Sequence, residues 1–488
     1  MARVDPTLAA LRAHEVPQWW RDAKLGIFVH WTPASVAGFA PAHGDYGELL
    51  TSGRSDAFSY SPYTEWYQNS MRFPGSPVAR HHAEVWQGRD YHEFADDFEA
   101  GLATWDPERW ARAFADTGAG YVVLVAKHHD GWCLWPSAVQ NPHRAGWHSS
   151  RDLVGELAEA VRSAGLRFGV YYSGGLDWTF CDTPMGSMGS MIQAIPRDDY
   201  AAYAEAQVRE LIDRYEPSVL WNDIAWPAPG RQLWPLMADY YRAVPEGVLN
   251  DRWMPWSPLL AVAATRPGRW AIDRASRRQA NPDGGMVPPR PPHFDVRTPE
   301  YTTFADIQST PWECVRGMDH SFGYNAESAP EDFLTRDDLL GSVVDIAAKG
   351  GNLLLNVGPR GVDATIPDEQ MVRLGWLAEF SPTLDAALRG SEPWVTPGAT
   401  TAEGDWLRYV VRDGELVALL VPGAPVATLA EVVDAGGASA RLLGGGSVAV
   451  STTASGLAIE LAIELGIPGS SDPVAVVLSG VAPAASLS

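Results

Sequence analysis

Residues 218–224 read SVLWNDI. Val219, Leu220 and Trp221 have the unbroken apolar character of a strand buried on both faces. The run nevertheless ends on a carboxylate, Asp223, with Asn222 beside it. An ionised carboxylate is costly to bury unless something pairs with it or uses it. An apolar strand that ends in chemistry is the pattern of a parallel barrel, where functional groups collect at the C-terminal ends of the strands.

The same pattern recurs on both sides. Strand-like runs occur at Gly26–His30 (GIFVH), Tyr121–His129 (YVVLVAKHH), Arg167–Ser173 (RFGVYYS), Val248–Trp253 (VLNDRW), His293–Arg297 (HFDVR), Ser321–Asn325 (SFGYN) and Asn352–Gly358 (NLLLNVG). With Ser218–Asp223 they number eight. Amphipathic helices lie between several of them. One opens with Asp106 as N-cap and Pro107 at the first helical position. Others run over Arg151–Ala164 and Asp198–Tyr215, and a fourth from Thr335 to Lys349, where Gly350-Gly351 stops it. Strand and helix in alternation predict an α/β fold, a (β/α)8-like barrel of the TIM type. The long gap between the first two strands makes it an irregular one. Residues 255–292, rich in Pro, Arg and Ala and without clear periodicity, fall between the fifth and sixth strands. That position puts them over the site.

Past a helix near Asp368–Leu388 the pattern changes. Trp406–Val411, Leu416–Val421, Ser447–Ser451, Leu457–Leu461 and Pro473–Leu478 are short strands split by Gly-rich turns, which predicts a C-terminal β-sandwich. The expected division is a catalytic barrel over 1–390 and a sandwich over 391–488, the latter a structural cap.

Composition narrows the function classes. Among 488 residues, 37 Lys and Arg face 60 Asp and Glu, a net charge of −23 that argues against nucleic acid or anionic membrane as a partner. Three scattered cysteines, Cys133, Cys181 and Cys314, show neither a disulfide framework nor CxxC spacing. With no run of about 18 apolar residues, the expectation is a soluble, cytoplasmic protein. The 21 Trp and 16 Tyr often stand beside His, Asp and Glu, a mixture that suits an amphipathic ligand such as a sugar.

The polar residues at the predicted strand ends are His30, then His128, His129 and Asp130, then Tyr171 and Tyr172. Trp221, Asn222 and Asp223 follow, then Asn250, Asp251 and Arg252, and finally Glu300. Three chemistries fit. Glycoside hydrolysis needs two carboxylates facing one bond. A metal-dependent hydrolase could use His30, His128 and His129, although adjacent residues of a regular strand point to opposite faces; only a bulge would bring both histidines to one site. A non-catalytic sugar-binding protein would use Asp223 as a hydroxyl acceptor. Glu313 competes with Glu300 as the second carboxylate, and Lys127 and Asp130 are placed to pair with each other.

Several motifs resemble glycoside hydrolase family 29, the α-L-fucosidases. They are Ala23–Trp31 (AKLGIFVHW), Glu65–Tyr67 (EWY), Ala126–Gly131 (AKHHDG), Phe168–Ser173, Leu220–Asp223, Asn250–Trp253, Trp312-Glu313 through Ser321–Asn325, and Gly351–Pro359. The resemblance implies a retaining, exo-acting α-L-fucosidase without metal or other cofactor, acting on fucosylated glycans, with Asp223 as nucleophile. Glu300, in Thr298-Pro-Glu-Tyr301, matches the acid/base of members with a similar stretch. The implied fucose-holding residues are His30, Glu65, Trp66, His128, His129, Tyr171, Trp221 and Arg252.

Overall fold

The computed structural model describes residues 6–483 apart from 43–48, 50–51, 53, 280–284, 401–405, 421–425, 454–455 and 461–471. Seven parallel strands form the first sheet: β1 (Leu25–Val29), β2 (Tyr121–Lys127), β3 (Arg167–Ser173), β4 (Val219–Asp223), β5 (Val248–Leu249), β6 (Trp312–Arg316) and β7 (Gly351–Val357). Their order is β5-β4-β3-β2-β1-β7-β6. Residues 295–300 close the gap between β5 and β6 through isolated parallel bridges, Asn250 to Val296, Arg297 to Trp312 and Glu300 to Val315. The barrel therefore has eight staves, of which seven are regular strands.

Two of the predicted strands are corrected. The sixth, His293–Arg297, is this irregular stave. The seventh, Ser321–Asn325, is not a strand: the Gly323 N–H is directed to the Glu65 carboxylate at 2.8 Å instead of to a ladder. Its place in the sheet is taken by β6. A glutamate in the middle of Trp312–Arg316 hides that strand from a hydrophobic-pattern reading, because buried charges are rare.

Period-two alternation divides each strand between two cores. Phe28, Tyr121, Val123, Val125, Tyr171, Val219, Trp221 and Leu354 face the barrel interior. Leu25, Ile27, Val29, Val122, Leu124, Val170, Tyr172 and Leu220 pack outward against the helices. Gly26 has a steric reason on the inward row: a Cβ there would lie 2.4 Å from the Tyr121 ring.

The outer helices start where their sequence signals place them. Asp106 accepts from the Arg109 N–H, Asp152 from Gly155 and Thr335 from Asp338, each satisfying an otherwise orphaned donor. Segment 255–292, expected without regular structure, contains helices Pro258–Ala263 and Arg266–Gln279. The second packs on helix Met188–Ala194, with Asp273 accepting from the Gly189 N–H at 2.8 Å.

The C-terminal region is one antiparallel sheet in the order β11-β14-β13-β12-β15-β10-β9-β8. The strands are β8 (Glu392–Thr400), β9 (Trp406–Arg412), β10 (Glu415–Leu420), β11 (Val426–Ala430), β12 (Val432–Leu442), β13 (Ser447–Thr453), β14 (Gly456–Glu460) and β15 (Val474–Pro483). It folds over itself into two layers, so that Leu429, Leu457 and Ile459 share a core with Leu407, Tyr409 and Leu416. The alternate row, Val410, Val417, Leu419 and Val477, joins the core around the barrel helices. Ion pairs of Arg408 with Asp345 and Arg336 with Asp472, both 2.6 Å, seat the sheet on helix Arg336–Ala348. Among the described residues, no helix is long and apolar enough to cross a membrane.

Candidate active site

The C-terminal strand ends surround one cavity. His30, Glu65, Trp66, His128, His129, Tyr171, Trp221, Asp223, Arg252 and Glu300 all line it. All ten residues to which the family motifs give a catalytic or fucose-holding role are therefore brought to one place.

Asp223 is the last residue of β4, and the chain bends sharply after it. Ile224 and Ala225 have φ of +69° and +141°, strained values for residues with a Cβ. That bend turns the Ile224 N–H back onto Asp223 Oδ1 at 2.9 Å. Arg252 Nη1 donates to the same oxygen at 3.1 Å, and Tyr171 donates its hydroxyl to Oδ2 at 2.8 Å. Three donors converge on this carboxylate.

Glu300 sits on the irregular stave and its backbone is held from two sides. It exchanges two hydrogen bonds with Met286, and its neighbour Tyr301 donates to the Val315 carbonyl. The Glu300 carboxylate meets Arg252 Nη2 at 2.7 Å. One guanidinium thus spans Asp223 and Glu300, itself anchored by Thr298 and stacked 4.7 Å from the Trp221 ring centroid. Burial raises the pKa of Glu300, Arg252 opposes that rise, and Asp223 reinforces it. Two nearby carboxyls in different environments are what an acid/nucleophile division needs.

The histidines act as neutral acceptors. His30 Nδ1 donates to Asn356 Oδ1 at 2.5 Å, and Asn356 is itself oriented by its bond to the Phe322 carbonyl, so Nε2 of His30 carries a lone pair. His129 Nδ1 donates to Ser173 Oγ at 2.6 Å, since that hydroxyl donates onward to Leu176 O. Its Nε2 lies 3.8 Å from Asp223 Oδ2, too far for a direct hydrogen bond. Burial lowers the pKa of both His30 and His129 to about 4. His128 Nδ1 is buried without a hydrogen-bond partner among the described residues. Burial pushes Glu65 up to about 8, against the Gly323 N–H, which favours the protonated, donating form of its carboxyl.

A break in alternation explains how both adjacent histidines reach the cavity. The β2–β3 register shifts between Val125 and Lys127. Lys127, which strict alternation would turn inward, reaches outward to Asp177 at 2.8 Å in a fully buried ion pair. The expected pairing of Lys127 with Asp130 is thereby corrected: Asp130 accepts from Tyr91 at 2.9 Å instead. Tyr172 also points outward and donates to Gln207. Asn222 and Asn250 tie β4 to the next stave, Asn222 N–H donating to Asn250 Oδ1 and Asn250 Nδ2 to Asn222 O. Glu313, the rival carboxylate, lies beneath the cavity and accepts from Tyr121 at 2.6 Å and Trp221 Nε1 at 3.1 Å. It supports the indole and does not line the cavity.

Residues missed from the sequence include Phe28, Tyr63, Phe322 and a set of Met, Ile and Pro side chains, whereas Asp251, one of the predicted strand-end residues, does line the cavity. Phe28 was findable, because it stands two residues before His30 on β1 and so shares its face. The apolar set carries no such signal. His30, Glu65 and His128 each offer a ligand atom within 4.8 Å of the others, so this corner has the composition of a cation site as well as that of a hydroxyl-binding one.

The Alpha-L-fucosidase family profile matches residues 1–382. The chain belongs to the alpha-L-fucosidase family. As a member it is a glycoside hydrolase, and relatives agree along most of its length. It is 27% identical to the tissue alpha-L-fucosidase of Rattus norvegicus over 426 residues, 85% of this chain and 78% of that one. Against the tissue alpha-L-fucosidase of Homo sapiens the identity is 28% over 408 residues, 80% and 73% of the two chains. Among solved structures, a Thermotoga maritima alpha-fucosidase in complex with a mechanism-based inhibitor superimposes with a TM-score of 0.81 at 36% identity, covering 98% of this chain and 100% of that one. The same enzyme in complex with fucose gives 0.79 at 35%, covering 96% and 98%.

Proposed function

We propose that this chain is a retaining, exo-acting α-L-fucosidase that removes terminal α-L-fucosyl residues by double displacement. The observation that carries the reading is the single Arg252 guanidinium held between Asp223 and Glu300 in one cavity. Two carboxylates held on one cation can serve one glycosidic bond, which supports the short separation of a retaining pair.

Asp223 attacks the anomeric carbon and forms a glycosyl ester as the bond to the leaving oxygen breaks. Glu300 delivers its proton to that oxygen, then takes one from the water that cleaves the ester. Neutral His30 and His129 accept from ring hydroxyls, a protonated Glu65 donates to one, and a hydroxyl beside His128 would satisfy its buried Nδ1. A hydroxyl between His129 Nε2 and Asp223 Oδ2 would bridge the 3.8 Å gap. Trp66 and Phe322 offer apolar faces to the sugar ring and its methyl. The fucose and mechanism-based-inhibitor complexes of the Thermotoga maritima enzyme support a carbohydrate substrate bound in such a cavity. In this reading residues 1–390 are the catalytic barrel and 391–488 the sandwich that caps it.

The test is hydrolysis of 4-nitrophenyl α-L-fucoside by wild type, Asp223→Ala and Glu300→Ala, with azide and EDTA arms. Retention predicts that azide rescues Asp223→Ala with inverted product and Glu300→Ala with retained configuration. Inverted product from wild type would overturn it. Loss of wild-type activity in EDTA would instead favour a cation held by His30, Glu65 and His128. Binding of fucose without turnover would favour a sugar-binding role.

A further inference from the structure

The cavity has two halves of opposite chemistry. Around Asp223 and Glu300 the lining is made of buried polar side chains, most of them hydrogen-bonded. Toward solvent the lining includes Met188, Ile192, Ile224, Met254, Leu260 and Met286, each half-buried, beside the exposed Pro289. None of these six side chains can donate a hydrogen bond, and the only acceptors are weak thioethers. Two come from helix Met188–Ala194, and Leu260 and Met286 from segment 255–292, whose longer helix packs on it. The exposed Leu259, Val262 and Trp270 of the same segment extend its apolar character outward.

We propose that this mouth is an aglycone site for an apolar alcohol, such as an alkyl, aryl or polycyclic leaving group, and that the protein prefers such fucosides to fucosylated sugars. The inference rests on the fucosidase reading above and names its substrate class. The leaving oxygen departs next to Glu300, and whatever carries that oxygen lies against the outer wall. A hexose there would bring several hydroxyls against six side chains that offer them no donor and only weak acceptors, losing much of their hydration without replacement. An apolar group would be desolvated favourably. Three methionines with flexible, polarisable side chains can adapt to aglycones of different outline. In glycan-directed sites the corresponding contacts are expected to be polar groups and aromatic platforms.

The experiment compares kcat/KM for methyl, butyl and octyl α-L-fucosides with α-L-fucosyl-(1→2)-D-galactose. Butanol and octanol leave with the same intrinsic ease, so a difference between them reports contact with the mouth alone. The expected result is a rise of about tenfold from butyl to octyl, with octyl also above the disaccharide. Ile192→Ser and Leu260→Ser should bring the octyl-to-butyl ratio down to about threefold or less, by polar substitution of the wall. A wild-type ratio near one, or a disaccharide that outperforms the octyl fucoside, overturns the proposal while leaving fucosidase activity intact. If no fucoside in the series is cleaved, including the aryl one above, the proposal falls together with the reading beneath it.

Discussion

Replacing Arg252 by Met keeps an unbranched apolar stem and removes the cation shared by the two carboxylates. In the structure its guanidinium lies 3.1 Å from Asp223 and 2.7 Å from Glu300, with all three groups buried. Unit charges about 4 Å apart interact by about 4 kcal/mol at an effective dielectric of about 20. Breaking a buried ion pair from one side typically loses about 3–5 kcal/mol. With two anions left behind, the upper end of that range is expected at neutral pH. The loss should depend on pH, and its sign follows from linkage. Without the cation the folded pair holds a proton to higher pH than the unfolded chain does, so stability is lost as pH rises. The deficit is therefore small near pH 4, by the same linkage, and grows toward about pH 7.5. Urea denaturation of wild type and Arg252→Met at both ends of that range measures it. In parallel, kcat on 4-nitrophenyl α-L-fucoside should fall about 10²–10³-fold, as when a charge-stabilising donor is removed, and the basic limb of the profile should move upward. Arg252→Lys restores charge without the fork and should recover only part of both. A stability deficit that is equal at the two pH values, or below about 1 kcal/mol at the higher one, would refute the bridging role.

Further expectations can be checked separately. Lys127→Met leaves Asp177 fully buried outside the cavity without its cation, and should lower stability by about 3–5 kcal/mol in chemical denaturation; a change below about 1 kcal/mol would contradict the pair's burial. Glu65→Gln mimics the protonated carboxyl and should keep kcat/KM at pH 6 within about threefold, whereas Glu65→Ala should lose about 10²-fold by removing a donor to the sugar; equal losses for both would show that the carboxyl acts as an anion. Gly26→Ala drives a methyl into the Tyr121 ring and should disturb Trp221 through Glu313, read as altered tryptophan fluorescence with raised KM. The thermal midpoint should reflect opposed shifts and fall as pH rises from about 6.5 to 8, where only the carboxyls still titrate. His30 and His129, lowered to about 4, withdraw stability as pH falls below 6.5, because the unfolded chain takes up protons first. Glu65, raised to about 8, and Glu313 and Asp130, raised to about 7, have the opposite sign, so stability is lost as pH rises through those values. A midpoint that climbs steadily from about pH 6 to 9 would contradict these assignments.

What the sequence determined by itself is local or periodic. Alternation with period two, N-caps at Asp106, Asp152 and Thr335, and polar residues closing apolar runs were enough to read a parallel barrel, its functional end and Asp223. Arg252 and Glu300 also stood at strand ends, and the family motifs gave them roles; Glu65 came from the motifs alone, since nothing local marks it, and it enters the cavity from the long segment between β1 and β2. The misreadings have physical causes. Trp312–Arg316 was hidden as a strand by its buried glutamate, and Ser321–Asn325 was read as one although the Gly323 backbone serves Glu65.

Only the tertiary structure decided that one guanidinium joins Asp223 to Glu300, since residues 223, 252 and 300 meet through barrel closure and not through sequence spacing. It also decided that His128 and His129 share the site, because the β2–β3 register shift overrides the alternation a regular strand would impose. The apolar mouth was least legible of all. Met188, Leu260 and Met286 look like core residues in a sequence, and an apolar side chain carries no local sign of whether it will meet another side chain or a ligand. Which of the two it meets depends on where distant segments leave space.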